Sequence, residues 1–318
     1  MNATPVQQIR EVLPFKVTDR WAVILAGGDG TRLRSMTLAI SGDDRPKQFC
    51  PIIGPGTLFD QTRERLAPFV TPNRSLIVVT KKHQRFYKPL VNTLQRDLLV
   101  EQPSNKGTAP AILYALMRIA TKSPRAIVGL FPSDHFIADN ELFISHVESA
   151  CQMSQTRPET VTLFGITPNA PEVEYGWIEP QPSILGSLAG SITRVQRFWE
   201  KPDVTTAQNL LAKGCLWNSF VIVGRVDYLL RMIMRAVPEL YQSFVNVVPT
   251  FGSEAETTAI QELYSRIPET NFSHEVLAMR ASDLAVMRVS DIGWSDLGEP
   301  SRVLATLERI GVQSQFAA

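Results

Sequence analysis

The chain predicts an α/β protein: a three-layer, Rossmann-like sandwich whose mixed, mostly parallel sheet is covered by helices on both faces. Three observations carry this expectation. Short β-rich runs alternate with helical patterns along most of the 318 residues. The turns richest in Gly, Asp, Lys and Thr follow those runs, at the carboxyl ends of strands where such sheets gather a ligand site. The composition, 44% hydrophobic and 20% charged, is ordinary for a globular domain of this length.

Taken in order, the strand-like runs are Trp21–Leu25, Ser75–Thr80, Asp97–Glu101, Arg125–Phe131, Thr160–Ile166, Ile192–Trp199, Asn218–Val223 and Leu284–Arg288. Thr57 starts a helix as its N-cap with Asp60 three residues on, and Leu58, Phe59, Leu66 and Phe69 form the apolar stripe. Thr108 caps a second helix, with Pro110 in its first turn and Ile112, Leu116 and Ile119 facing inward. A third begins near Asn140, with Phe143, Val147 and Ala150 on one side. The stretch from Pro168 to Leu188, rich in Pro, Gly and Ser, interrupts the alternation and reads as an insertion walling one side of a site. A last helix covers Pro300 to Ile310.

Charge and cysteines narrow the function. With 32 basic and 31 acidic residues the net charge is +1, which gives no general affinity for polyanions, so nucleic acid is not an expected partner. Cys50, Cys151 and Cys215 are odd in number and widely spaced, arguing against a disulfide framework or zinc site and for a reducing compartment. The opening residues, MNATPVQQIREVLPFKVTDR, hold no apolar core of signal-peptide length, and no apolar run approaches the ~20 residues a membrane helix needs. A cytoplasmic protein with no membrane partner is expected.

Residues 21–54, WAVILAGGDGTRLRSMTLAISGDDRPKQFCPIIG, carry the strongest chemical signal. An apolar strand ending at Leu25 runs through Ala26 into glycines at 27, 28 and 30. Thr31 and Arg32 follow, and Lys47 comes after Pro46. Open backbone amides with two fixed cations suit a triphosphate. A P-loop would need Lys-Ser or Lys-Thr where this chain has Thr31-Arg32, and a dinucleotide fingerprint would need Gly where it has Leu33. The alternative is a tight turn whose glycines only supply positive φ.

Five further segments stand at strand ends or in the insertion. Pro132-Ser133-Asp134-His135 follows RAIVGLF; Asp134 suits either a helix cap or Mg²⁺, which takes one or two carboxylates plus substrate oxygens. Gln102 to Thr108 reads as a loop and cap. Tyr175-Gly176-Trp177-Ile178 and Phe198-Trp199-Glu200-Lys201-Pro202 offer a carboxylate for hydroxyls, an aromatic for an apolar sugar face and a glycine for close backbone approach. The alternative is a solvated Glu200-Lys201 pair beside a core Trp199. Gly293-Trp294-Ser295-Asp296-Leu297-Gly298 would, in isolation, be a turn.

Together with Trp217-Asn218-Ser219, these segments resemble, in chain order, the GGxGTRL, PK, (R/N)-(G/N)-T-A-P, PxDH, EKP, WNS and GWSDxG elements of the sugar-1-phosphate nucleotidylyltransferases. Arg45-Pro46-Lys47-Gln48-Phe49 is similar to the PKQF variant of the mannose-1-phosphate guanylyltransferase branch. The likeness runs from Trp21 to about Gly298. It departs at Arg34-Ser35, where the family usually has Trp-Pro, and in a longer, more polar spacer from Leu38 to Asp44.

The resemblance implies the nucleotidyltransferase (GT-A-like) type of fold and nucleotidylyl transfer from GTP to mannose 1-phosphate, releasing pyrophosphate. Arg32 and Lys47 would be catalytic, and Leu25, Ala26, Gly27, Gly28, Gly30, Thr31, Gln102, Lys106 and Thr108 would bind the nucleotide. Gly176, Glu200, Lys201 and Asn218 would bind the sugar phosphate, and Asp134 and Asp296 would hold Mg²⁺. His135 is read as a turn residue with a local hydrogen bond. Residues 1–20 would be an N-terminal extension, 21–298 the nucleotidyltransferase domain with a sugar-binding insertion around 168–225, and 299–318 a C-terminal helix and tail without a complete β-helix domain. The expected partners are GTP, mannose 1-phosphate and a second copy of the chain as a homodimer. A glucose or manno-heptose 1-phosphate enzyme, or a non-catalytic nucleotide-sugar-binding regulator, stands as the alternative.

Overall fold

The computed structural model describes residues 19–92, 94–182 and 191–312. All but the last two residues of the expected extension, and the end of the tail, lie outside them. The strands are β1 (Arg20–Leu25), β2 (Ser75–Thr80), β3 (Leu99–Gln102), β4 (Ile127–Pro132), β5 (Val161–Ile166), β6 (Gly176–Pro180), β7 (Ile192–Glu200), β8 (Leu216–Arg225) and β9 (Leu284–Val289). They form one sheet in the order β3-β2-β1-β4-β8-β5-β9-β7-β6, with β8 also pairing β6. The helices are α1 (Arg34–Ser41), α2 (Leu58–Leu66), α3 (Gln84–Tyr87), α4 (Thr108–Lys122), α5 (Asn140–Thr156), α6 (Val204–Ala212), α7 (Val226–Ala236), α8 (Pro238–Val245), α9 (Glu256–Arg266) and α10 (Pro300–Arg309). None of the described helices is long and apolar enough to cross a membrane.

The sheet has two halves. From β3 to β4 every pairing is parallel, and every residue of β4 is buried, as continuous apolar runs require in a sheet covered on both faces. Beyond β4 the pairings are antiparallel except β5 with β9. The expectation of a mostly parallel sheet is therefore corrected. The reason is that residues 168–225 return as neighbouring antiparallel strands, which need no helical crossover.

β6 is not among the strands that the sequence predicts. Its five residues, GWIEP, are too short and irregular to show a period of two, and they are fixed by pairing Trp177 with both Trp199 and Trp217. Two large cores sit on opposite faces of the sheet. Alternate residues of β1 feed them: Trp21 and Val23 join residues of α4, α7 and α9, whereas Ala22 and Ile24 join residues of α2 and α5.

Helix starts follow local chemistry. Thr57 accepts from the Asp60 amide at 3.1 Å, as its pattern predicts, and Asp139 does the same for Leu142 at 2.9 Å. Thr108 does not cap α4. It is the first helical residue, Gly107 precedes it at φ +84°, and the Thr108 hydroxyl instead accepts from the Phe272 amide at 2.9 Å. The helix α10 is tied into the body: Val303 and Leu307 pack with Leu33, Ile52 and Leu297 in a third small core beneath the Lys47 segment.

Candidate active site

A cavity of about 400 Å³ opens at the carboxyl ends of β1, β3 and β4 and extends to β6, β7 and β8. Leu25, Gly27, Gly28, Gln102 and Thr108 border it on the parallel side, and Gly176, Glu200 and Asn218 on the antiparallel side. Asp134 and Asp296 border it too. Two carboxylates far apart in sequence thus face one space.

The glycine turn is shaped by contacts from below. Ala26 donates to the Val78 carbonyl at 2.8 Å, continuing the β1–β2 ladder one step past the strand. Gly30 has φ +60°, and a Cβ there would lie 3.0 Å from the Lys47 amide nitrogen, so only glycine lets the two segments meet. The Asp29 carboxylate gathers three loops, taking Lys82 at 3.1 Å, His83 at 3.1 Å and Asn105 at 3.0 Å. Burial pushes its pKa up, but the Asn105 and Lys82 hydrogen bonds outweigh that and leave it below the ordinary value.

Lys47 is buried rather than presented to the cavity. Its ammonium donates to the carbonyl of Asp296 at 2.6 Å and lies 3.2 Å from the Asp134 carboxylate. It therefore locks together two residues 249 and 87 positions away, a connection no spacing reveals. Burial raises the Asp134 pKa, but the Lys47 and His135 charges outweigh it, so the carboxyl sits below its usual value and is ionised near neutrality. Asp296 is oriented by Tyr175, whose hydroxyl donates at 2.7 Å, by the Gly298 amide at 3.1 Å and by Arg302 at 3.0 Å.

These two carboxylates fit Mg²⁺: hard oxygen donors, at least one held ionised, facing a space open to further oxygens. Among the described residues no group of three or more His, Cys, Asp or Glu could hold a metal by itself. Phosphate and water oxygens would have to complete the coordination.

On the antiparallel side Glu200 lies against Gly176, where a Cβ would come within 3.0 Å of its carboxylate. Burial raises its pKa despite Lys201 beside it. Asn218 accepts from the Phe220 amide at 3.1 Å, and Phe220 holds φ +60°. Lys201 at φ +45° and Leu297 at φ +48° are likewise non-glycine residues in left-handed backbone, and such strain gathers where a site demands it.

Several candidates do not border the cavity: Ala26, Gly30, Thr31, Arg32, Lys47, Lys106 and Lys201. Arg32 and Lys201 stand half-exposed at the rim, where both reach the same Glu174 oxygen at 3.3 Å. The main chain of Lys106 pairs with Thr270 at 2.9 Å. Trp177 is fully buried and Trp199 has Arg197 stacked 3.6 Å over its ring, so neither aromatic faces the cavity; Tyr175, Phe220 and Trp294 do. His135 also borders it and accepts from the Trp294 indole at 3.3 Å, a partner distant in sequence rather than local.

Sequence reading misses Glu174, Glu269, Asn271 and Ser273 in the lining, and Arg302 behind Asp296. For Arg302 a signal exists: an arginine in the first turn of a helix that starts four residues after Asp296. For Asn271 and Ser273 there is none, because they enter through a loop and π-helical turn after α9.

The nucleotidyl transferase family model matches residues 21–310. The chain is 30% identical over 299 residues to the xanthan biosynthesis protein XanB of Xanthomonas campestris pv. campestris, covering 93% of this chain and 61% of that protein. It is 27% identical over 284 residues to a mannose-1-phosphate guanylyltransferase of Escherichia coli, covering 87% and 59%. A crystal structure described as the mannose-1-phosphate geranyltransferase of Thermus thermophilus superposes with a TM-score of 0.77 at 27% identity, covering 93% of this chain and 80% of that one. The chain thus spans about three-fifths of the length of the curated relatives it matches.

Proposed function

The chain belongs to the nucleotidyl transferase family, and from that premise we propose that it transfers a guanylyl group from GTP to mannose 1-phosphate, giving GDP-mannose and pyrophosphate. The fold would be the three-layer, GT-A-like form of that family. One observation carries the reading: Asp134 and Asp296, 162 residues apart, face a cavity that the glycine turn also lines, and one buried ammonium joins them.

In the proposed reaction an oxygen of the sugar phosphate attacks the α-phosphorus, and the bond from that phosphorus to the bridging oxygen breaks as pyrophosphate leaves. The attacking phosphate is already a nucleophile at neutral pH, so no side chain need take a proton. The obstacle is bringing two anions together, and the remedy is positioning plus charge. Asp134 and Asp296 would hold Mg²⁺, which when bound would supply positive charge to the phosphates that meet there. The Gly27 and Gly28 amides would receive the departing phosphates, with Arg32 closing over them from the rim. Lys201 would draw in the sugar phosphate beside Arg32 once Glu174 releases both. Lys47 would act from behind, fixing Asp134 against Asp296. Glu200 and Asn218 would take the sugar hydroxyls. Leu25, Gln102 and Thr108 would border the nucleoside. A cytoplasmic enzyme using these two substrates is the whole-protein reading.

The test is pyrophosphate release measured over a matrix of nucleoside triphosphates and sugar 1-phosphates, with and without Mg²⁺. The reading expects the highest kcat/KM with GTP and mannose 1-phosphate and none without the metal. A maximum at glucose or manno-heptose 1-phosphate would move the substrate within the family. Binding of both ligands with no turnover of any pair would make the protein a sensor instead.

A further inference from the structure

Three consecutive carbonyls of the glycine turn are held from behind by buried side chains. The Gln48 carboxamide nitrogen donates to the Ala26 carbonyl at 3.0 Å and to the Gly28 carbonyl at 2.7 Å. The Thr80 hydroxyl donates to the Gly27 carbonyl at 2.9 Å. Gln48 is 2% exposed and Thr80 1%. A peptide unit is planar, so a carbonyl fixed on one side sends the next residue's N–H to the other. Tying the carbonyls of residues 26 and 28 to Gln48 therefore turns the amides of Gly27 and Asp29 away from Gln48, and tying that of residue 27 to Thr80 turns the amide of Gly28 away from Thr80. Those amides donate to no main-chain group among the described residues, and Gly27 and Gly28 border the cavity.

We propose that Gln48 and Thr80 are positioning residues that preset the glycine turn for the nucleotide's phosphates, an inference that rests on the nucleotidyl-transfer reading above. A carboxamide suits the place. Its nitrogen carries two hydrogens, so one side chain holds two carbonyls two residues apart, which a hydroxyl or thioether cannot do. A glutamate of the same length would set its own lone pairs against both carbonyls. Gly30 makes the arrangement reachable, because its missing Cβ lets the Lys47 backbone pass beneath the turn. Binding then incurs no cost for ordering the turn, and donors fixed in advance are worth more to a developing charge than donors that must be recruited.

The experiment replaces Gln48→Met, which keeps length and bulk but loses both donors, and separately Thr80→Val. Two readouts are taken: amide order parameters of Gly27, Gly28 and Gly30 in the free protein, and GTP affinity by calorimetry without sugar phosphate. In Gln48→Met the order parameters should fall from the rigid range near ~0.85 to below ~0.6. GTP affinity should drop about tenfold, about 1.4 kcal/mol, on losing the two hydrogen bonds that order the turn. The KM for sugar phosphate should not change, which separates positioning from general damage to the fold. Thr80→Val should act in the same direction and more weakly, and it serves if Gln48→Met does not fold. Unchanged order parameters would overturn the brace, and lowered order parameters with unchanged GTP affinity would overturn its role toward the nucleotide. A wild-type protein with no GTP affinity would mark failure of the functional reading, and the order parameters would then decide the brace alone.

Discussion

On the parallel half of the sheet the cavity wall includes bare main chain at Gly27 and Gly28, tied from behind by Gln48 and Thr80. On the antiparallel half it is largely side chain: Glu200 and Asn218 from β7 and β8, with Phe220 held in left-handed backbone. The difference matches what each half would meet. Phosphate oxygens are alike and need only many donors at close range, which bare peptide supplies. Sugar hydroxyls differ in direction, and side chains on paired strands can be aimed one by one. Between the halves stand Asp134 and Asp296, joined by Lys47 and shared by both.

The division between the halves is tested first at its centre. Lys47→Met should cut pyrophosphate release by ~10²–10³-fold, the scale for losing one fixed electrostatic contact, whatever the sugar phosphate. It should also lower the melting temperature, since Asp134 loses its 3.2 Å partner. Full turnover would remove Lys47 from the site. Next comes the main-chain wall. At Gly27 a Cβ would lie 2.8 Å from the Gln102 amide nitrogen and 3.0 Å from the Thr80 hydroxyl. Gly27→Ala should therefore reduce kcat/KM for GTP about tenfold, in line with an overpacking cost of about 1–3 kcal/mol, while leaving the KM for sugar phosphate alone. Equal effects on both substrates would erase the distinction between main-chain and side-chain walls.

The side-chain wall should respond the other way. Glu200→Ala should raise the KM for sugar phosphate roughly 3–10-fold and that for GTP less, the scale of one lost hydrogen bond; the reverse order would take Glu200 out of the sugar side. The smallest effect concerns stability. Burial raises the Glu200 pKa above 4.5 in the fold. Between 4.5 and that higher value the native state holds more protons than the unfolded chain, so stability falls as pH rises through this window. Glu200→Gln should remove that slope. Melting curves taken at closely spaced pH values should show the variant gaining on the wild type as pH rises; parallel curves would mean the carboxyl is not perturbed.

The parallel half is readable because its signals are local. Strand, glycines, Thr31 and Arg32 are contiguous, and Thr57 announces α2 through the Asp60 amide within the first turn. The antiparallel half is less readable because its order comes from partners far away. β6 exists through pairing with β7 and β8, and its five residues carry no period of their own. The resemblance of short motifs recovers Glu200 and Asn218 there, but not how Glu174 holds Arg32 and Lys201 together, since those three are separated by as many as 169 positions. By the same resemblance Lys47 would meet phosphate directly. The structure buries it because the chain after Pro46 passes beneath the glycine turn, a path that only the close approach at Gly30 makes visible.

In the proposed reaction the bond broken lies at the α-phosphorus of a nucleotide held between the glycine turn and the two aspartates. Following isotopic label from GTP into products formed with mannose 1-phosphate and Mg²⁺ tests this without an intermediary. The α-phosphorus label should appear in the nucleotide sugar and the γ-phosphorus label only in pyrophosphate, with both transfers lost in Asp296→Ala. Label from the γ position in a sugar product, or unchanged α transfer in Asp296→Ala, would contradict it.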